Sequence, residues 1–178
     1  MRHILSCDQF SRKDLMELFA LTDEMRANTN QFSNSLQGKI VATIFYEPST
    51  RTRLSFEAAI LRLGGNIIST ENAKEMSSAI KGESLLDTIR VVDGYCDAIV
   101  LRHFDSKAAA DAAAVSSVPI INAGSGSGEH PTQSLLDAYT IYKYKKNLDG
   151  LSIVVMGDLL FGRTVHSLVK LLTLFENV

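Results

Sequence analysis

The run Ser49-Thr50-Arg51-Thr52-Arg53 sets three hydroxyls and two guanidinium groups side by side. A planar guanidinium engages a tetrahedral oxyanion bidentately and hydroxyls add further donors, so the chemistry this run suits is capture of a phosphate. Its setting sharpens the point. Upstream, Ile40, Val41, Ala42, Thr43, Ile44 and Phe45 form the β-branched and aromatic run of a buried parallel strand, and Pro48 breaks it. Downstream, Leu54, Ala58 and Leu61 recur at helical spacing. The run is therefore a strand-to-helix turn, where the first helical N–H groups have no intrahelical partner. Arg51 and Arg53 fall in the first helical turn, where the macrodipole is already positive and basic side chains are disfavoured. Glu57 is spaced to neutralise Arg53, although an Arg preceding its Glu is the weaker orientation, and Arg51 is left wanting an anion. A well-capped helix with solvated arginines is the other reading, and the turn alone leaves both open.

Further along, Arg102 closes a predicted strand, Ala98 to Arg102, and ligands of open α/β sheets gather at such carboxyl ends. A second predicted strand, Pro119 to Asn122, opens into the loop Gly124-Ser125-Gly126-Ser127-Gly128 and then His130-Pro131-Thr132-Gln133. Pro131 suits the first position of a helix, which places His130 and Gln133 at another helix N-terminus on the same edge. Glu71 to Gly82, with Ser77, Ser78 and Lys81, has neither helical nor strand period and reads as a surface loop. Cys7 and Cys96 stand apart with no histidine at ligand spacing, so they read as two reduced structural thiols.

The elements that position these residues follow from periodicity. Ser11 and Asp14 form a capping box for a first helix carrying Leu15, Leu18, Phe19, Thr22 and Met25 on one face. Asn28 to Gln37 is a polar connection. After the central helix, Gly64 and Gly65 stop the chain and Asn66 to Thr70 reads as a short strand. A helix with Leu85, Leu86, Ile89 and Val92 inward precedes the Arg102 strand, and an alanine-rich helix from Lys107 to Ser116 follows it. The helix from Pro131 carries Leu135, Leu136, Tyr139 and Tyr142. Leu151 to Met156 reads as a strand of a new β-α unit, whose helix carries Val165, Leu168, Val169, Leu171 and Leu172.

The predicted fold class is α/β: a parallel four-stranded sheet with helices on both faces, followed by the first β-α unit of a second α/β domain. The expected organisation is an anion-binding domain over 1–130, an interdomain helix and turn over 131–149, and an incomplete second domain over 150–178. With 178 residues, 46% hydrophobic and 21% charged, the chain has an ordinary globular composition. A net charge of -2 gives no general attraction to nucleic acid or to a membrane surface, so an anion site must be local. With no apolar run of spanning length and no signal-peptide core, the expected compartment is the cytoplasm.

Together with the loop from Ser77 through Lys81 to Ser84 and the segment Gly162-Arg163-Thr164-Val165-His166-Ser167, these motifs resemble the catalytic chains of the aspartate carbamoyltransferase family, in order and spacing throughout the chain. The Ser-Thr-Arg-Thr-Arg and His-Pro-X-Gln motifs are common to carbamoyltransferases generally, whereas the Lys81 loop and the Gly-Arg-Thr-Val-His-Ser segment favour the aspartate branch. The resemblance implies transfer of a carbamoyl group from carbamoyl phosphate to L-aspartate at the start of pyrimidine synthesis, with no metal or other cofactor. It implies phosphate contacts from Ser49, Thr50, Arg51 and Thr52, with Thr52, Arg102 and His130 at the carbamoyl oxygen and Gln133 at the carbamoyl nitrogen. Ser77 and Lys81 are implied to reach a neighbouring subunit's site, with Lys81 meeting both substrates, and Arg163 and Thr164 to begin the aspartate pocket. A homotrimer with shared active sites is the implied assembly, and regulatory or pathway chains are further partners the resemblance allows. The family's later aspartate-binding residues have no counterpart in this sequence. A transferase for another amine such as ornithine, and a non-catalytic oligomerising module, stay open beside the main reading.

Overall fold

Strand β1 (Ile40–Phe45) is the apolar run before the arginine-rich turn, and every residue in it after Ile40 is buried. In the computed structural model, which describes residues 3–71, 82–160 and 162–176, it is joined by β2 (Asn66–Glu71), β3 (Ala98–His103) and β4 (Ile120–Ser125). The order is β2-β1-β3-β4 and all pairings are parallel, with Phe45 opposite Arg102 and His103 opposite Ser125. Because the strands are parallel, the exits of β1, β3 and β4 share one edge. The chain adds β2 on one side of β1 and β3 on the other, and the crevice opened by that reversal lies between β1 and β3.

Alternation along β1 divides the core. Ala42, Ile44 and Tyr46 face α3 (Leu85–Asp93) and α4 (Ala108–Val115), packing with Ile89, Ile99, Leu101 and Ala112. Val41 and Phe45 face the other way, with Ile60 and Phe56 of α2 (Thr50–Arg62). A third cluster lies between α1 (Arg12–Ala27), α5 (Pro131–Lys145) and α6 (Arg163–Leu172), built on Leu15, Phe19, Tyr139, Leu171 and Leu172. The N-terminal segment extends the sheet edge: Ile4 N–H donates to Ile120 O and Asn122 N–H to Ile4 O, both at 2.8 Å.

The fold class stands as expected, with three local corrections. β4 continues through Ser125, so the first half of the glycine-rich segment is strand and the turn begins at Gly126. A 3-10 turn at Thr29–Phe32 interrupts the polar connection. Leu151 to Met156 does not form a strand among the described residues. Its composition is right, but a strand exists only against a ladder partner, and Val154 and Met156 stand 84% and 87% exposed instead. The helix expected after it is present as α6.

Candidate functional site

Three helix N-termini and the end of β3 surround a cleft of about 810 Å³ at the carboxyl edge of the sheet. The start of α2 contributes Ser49, Arg51 and Thr52; β3 contributes Arg102; the start of α5 contributes His130, Thr132 and Gln133; the start of α6 contributes Arg163 and Thr164. These helices differ from their neighbours in how they begin. α1 and α3 are capped by Ser11 and Ser84, each with an acid three residues on, Asp14 and Asp87. α2, α5 and α6 have neither a side-chain cap bond nor an acid in the first turn. Their first N–H groups and their positive dipole ends are thus left for something in the cleft.

The charges are arranged to the same effect. Arg53 is neutralised within the fold, with Nη2 2.9 Å from Glu71 and Nε 4.0 Å from Glu57, so Glu71 is a closer partner than the Glu57 expected from spacing. Glu57 meanwhile accepts hydrogen bonds from Thr43 (3.1 Å) and Ser69 (2.7 Å). Arg51 is exposed and forms no ion pair among the described residues. Arg102 donates to Ala123 O at 3.3 Å, and its Nε is buried without a hydrogen-bond partner among the described residues. Burial and the nearby Arg163 guanidinium pull Arg102 below the ordinary arginine range, with Glu47 opposing. Arg163 donates to Gly126 O at 2.5 Å.

His130 is 6% exposed, with Nδ1 3.4 Å from the Thr132 hydroxyl. Burial first, then the charges of Arg102 and Arg163, hold its pKa down to about 4, so the imidazole is neutral at physiological pH. Gly124 is what lets these three side chains converge. It has φ +115°, and a Cβ there would lie 3.1 Å from Arg102 Nη1, 3.3 Å from His130 Cδ2 and 3.5 Å from Arg163 Cζ.

Of the residues picked out in the sequence, Ser49, Arg51, Thr52, Arg102, His130, Gln133, Arg163 and Thr164 line one cleft. Thr50 lies on the exposed first turn of α2, outside that lining. Ser77 and Lys81 lie outside the described residues. Two acids escaped the sequence reading. Glu47 sits 3.5 Å from both Arg102 and Arg163, as a counter-ion between them. Asp137 accepts a 2.9 Å hydrogen bond from Gln133 Nε2 and so orients that amide. Asp137 follows Gln133 at i+4, a spacing that carries the signal; nothing local marks Glu47, whose partners come from other elements.

Fold and cleft together define an α/β domain with an arginine-lined crevice at the switch point of its sheet. The chain belongs to the aspartate/ornithine carbamoyltransferase family, whose carbamoyl-P binding domain matches residues 2–143. It is 55% identical over 177 residues to the chloroplastic aspartate carbamoyltransferase of Arabidopsis thaliana, covering 98% of this chain and 45% of that protein. It is 53% identical over 180 residues to the aspartate carbamoyltransferase catalytic subunit of Methanocaldococcus jannaschii, covering 100% of this chain and 58% of that one. Among solved structures, the aspartate transcarbamoylase of Trypanosoma cruzi in complex with carbamoyl phosphate and aspartate superposes with a TM-score of 0.92 at 46% identity, over 98% of this chain and 58% of the other. The chain spans about half the length of the curated relatives it matches.

Proposed function

We propose that this chain carries the carbamoyl phosphate half of an aspartate carbamoyltransferase and that the cleft receives the phosphate of that substrate. The observation that carries the reading is the convergence of three uncapped helix N-termini with an Arg51 that forms no ion pair among the described residues. Such an arrangement leaves backbone N–H groups, hydroxyls and a guanidinium to be satisfied together by one tetrahedral anion. Aspartate is the acceptor we favour, on the names of the relatives above and on the ligands of the Trypanosoma cruzi enzyme.

In this mechanism Ser49, Thr50, Arg51 and Thr52 hold the phosphate. Thr52, Arg102 and neutral His130 donate to the carbamoyl oxygen, and Gln133, held by Asp137, orients the carbamoyl nitrogen. The amine of aspartate attacks the carbamoyl carbon, a C–N bond forms, the C–O bond to phosphate breaks, and the departing phosphate takes the amine proton. Orientation of two bound reactants supplies about 7 to 11 kcal/mol, and one oxyanion donor roughly 3 kcal/mol. Arg163 and Thr164 begin the aspartate side. Ser77 and Lys81 are assigned to a neighbouring subunit's site, within a homotrimer of shared sites that leaves room for regulatory or pathway chains.

In the same reading residues 1–130 form the first-substrate domain, 131–149 the connection, and 150–178 the beginning of the second domain. Among the described residues no helix is long and apolar enough to cross a membrane. We take the cytoplasm as the compartment on the two unpaired thiols, while the plant relatives are named chloroplastic.

Calorimetric titration of phosphate, then carbamoyl phosphate, into the chain and into Arg51→Ala tests the reading. Saturable binding to the parent chain, reduced at least tenfold in the variant, is the expected result, since a charge-assisted bidentate contact is worth about 1.5 to 3 kcal/mol. Equal binding by both would remove Arg51 from the site.

A further inference from the structure

Glu129 precedes His130 in the chain but does not line the cleft. Its carboxylate instead gathers three parts of the molecule. Oε2 accepts the Cys7 N–H at 2.7 Å, and Oε1 accepts the Ser6 hydroxyl at 3.0 Å and the Lys170 ammonium at 2.6 Å. Lys170, in the last turn of α6, also reaches Asp8 at 2.8 Å, so one ammonium bridges a carboxylate of the N-terminal segment and one of the turn that leads to His130. Both carboxylates hold Lys170 well above the ordinary lysine range. The turn is closed by Ser125 N–H donating to Glu129 O at 3.1 Å. Beside this cluster, α6 touches the start of α5 through two longer bonds: His130 N–H to Ser167 Oγ at 3.2 Å, and Ser134 Oγ to Thr164 O at 3.3 Å.

We propose that Glu129 and Lys170 are positioning residues, whose ion pair, braced by Ser6, Cys7 and Asp8, clamps α6 to the His130 turn so that Arg163 faces His130 across the cleft. The proposal rests on the reading of the cleft as the transferase's first-substrate site, because it assigns the pair a role in aligning two groups of that site. The geometry favours a clamp over an ornamental surface pair. The Glu129 side chain is only 19% exposed, and it is satisfied by a backbone N–H and a hydroxyl as well as by the ammonium. α6 enters the site at its first turn and is clamped at its last, so the helix transmits the constraint along its length.

His130 itself reports the state of the clamp. Among the described residues, the charged groups facing its ring are Arg102 from β3 and Arg163 from α6. Opening the clamp lets Arg163 draw away and water reach the ring, and both raise the titration midpoint from about 4 toward the ordinary 6.5. Loss of the Glu129 charge acts directly in the opposite sense, because removing a negative neighbour lowers a histidine midpoint. Glu129→Gln therefore separates clamp from simple electrostatics by sign.

The experiment is NMR titration of histidine-labelled chain, with His130→Gln assigning the resonance. The expected result is a midpoint raised by about one unit or more in Glu129→Gln and Lys170→Met, and unchanged in the charge-conserving Lys170→Arg. An unchanged or lowered midpoint in Glu129→Gln, or the same rise in Lys170→Arg as in Lys170→Met, overturns the proposal. Phosphate titration of the parent chain decides the anion-site reading separately, and its failure leaves the His130 result to judge the clamp on its own.

Discussion

A buried histidine between two arginines makes the site sensitive to acid. In the unfolded chain His130 titrates near 6.5, and in the fold near 4, so between those values the unfolded state binds the extra proton. Its contribution to stability is therefore intact above about pH 6.5 and is lost as pH falls toward 4, by roughly 3 kcal/mol across the window. The carboxylates with lowered values, such as Asp14 and Asp87, lose their contributions below the ordinary carboxylate range, at lower pH than this window. Urea unfolding of the parent chain and His130→Gln at pH 7 and pH 4.5 isolates the effect: the difference in stability between the two proteins is expected to shift toward the variant on acidification, and an equal difference at both pH values would count against it. Gly124 carries a second residue-scale prediction. Alanine there meets both a positive φ and the crowd of Arg102, His130 and Arg163. Gly124→Ala is expected to cost on the order of 1 to 3 kcal/mol in thermal unfolding and to weaken phosphate binding, because its Cβ displaces the Arg102 guanidinium.

Helix starts separate structural from functional elements. α1 spends its N-cap on itself: Ser11 accepts the Asp14 N–H, and the Asp14 carboxylate accepts the Ser11 N–H at 2.7 Å. Ser11→Ala should cost about 1 kcal/mol of stability and leave anion binding untouched. α2 shows the converse, an N-cap serine with no side-chain cap bond. Ser49→Asp supplies both a cap and a favourable charge, so it is expected to stabilise the fold by about 0.5 to 1 kcal/mol in urea unfolding while abolishing phosphate binding. Stabilisation with binding retained would show that the start of α2 is not the anion site. The capping box of α1 and the apolar run of β1 were legible in sequence because both are local patterns. So was the convergence of Arg51, Arg102 and His130, since parallel strands put their exits on one edge. Glu47 and Glu129 were not legible, for their partners Arg163 and Ser6 lie 116 and 123 residues away. Leu151 to Met156 misled for the same reason in reverse, its strand-like composition having no ladder beside it.

The unpaired segment and the turn after it, through Leu160, bear on how the whole molecule associates. Val154, Met156 and Leu160 are 84%, 87% and 73% exposed and lie close together in sequence, whereas Val41, Ile44, Phe45, Ile99, Leu101 and Ile120 of the sheet are buried. Exposed apolar side chains grouped this closely in sequence drive association unless something covers them. The 178-residue chain is therefore expected to bind the hydrophobic dye ANS and to form species larger than the proposed trimer as its concentration rises. Met156→Lys combined with Leu160→Lys places charge on that surface without touching the cleft. Sedimentation velocity should then show the larger species collapsing to a single trimeric boundary, with phosphate affinity unchanged. Persistence of the larger species in the double variant would place the association on another face, such as the exposed Leu54 and Leu61 of α2.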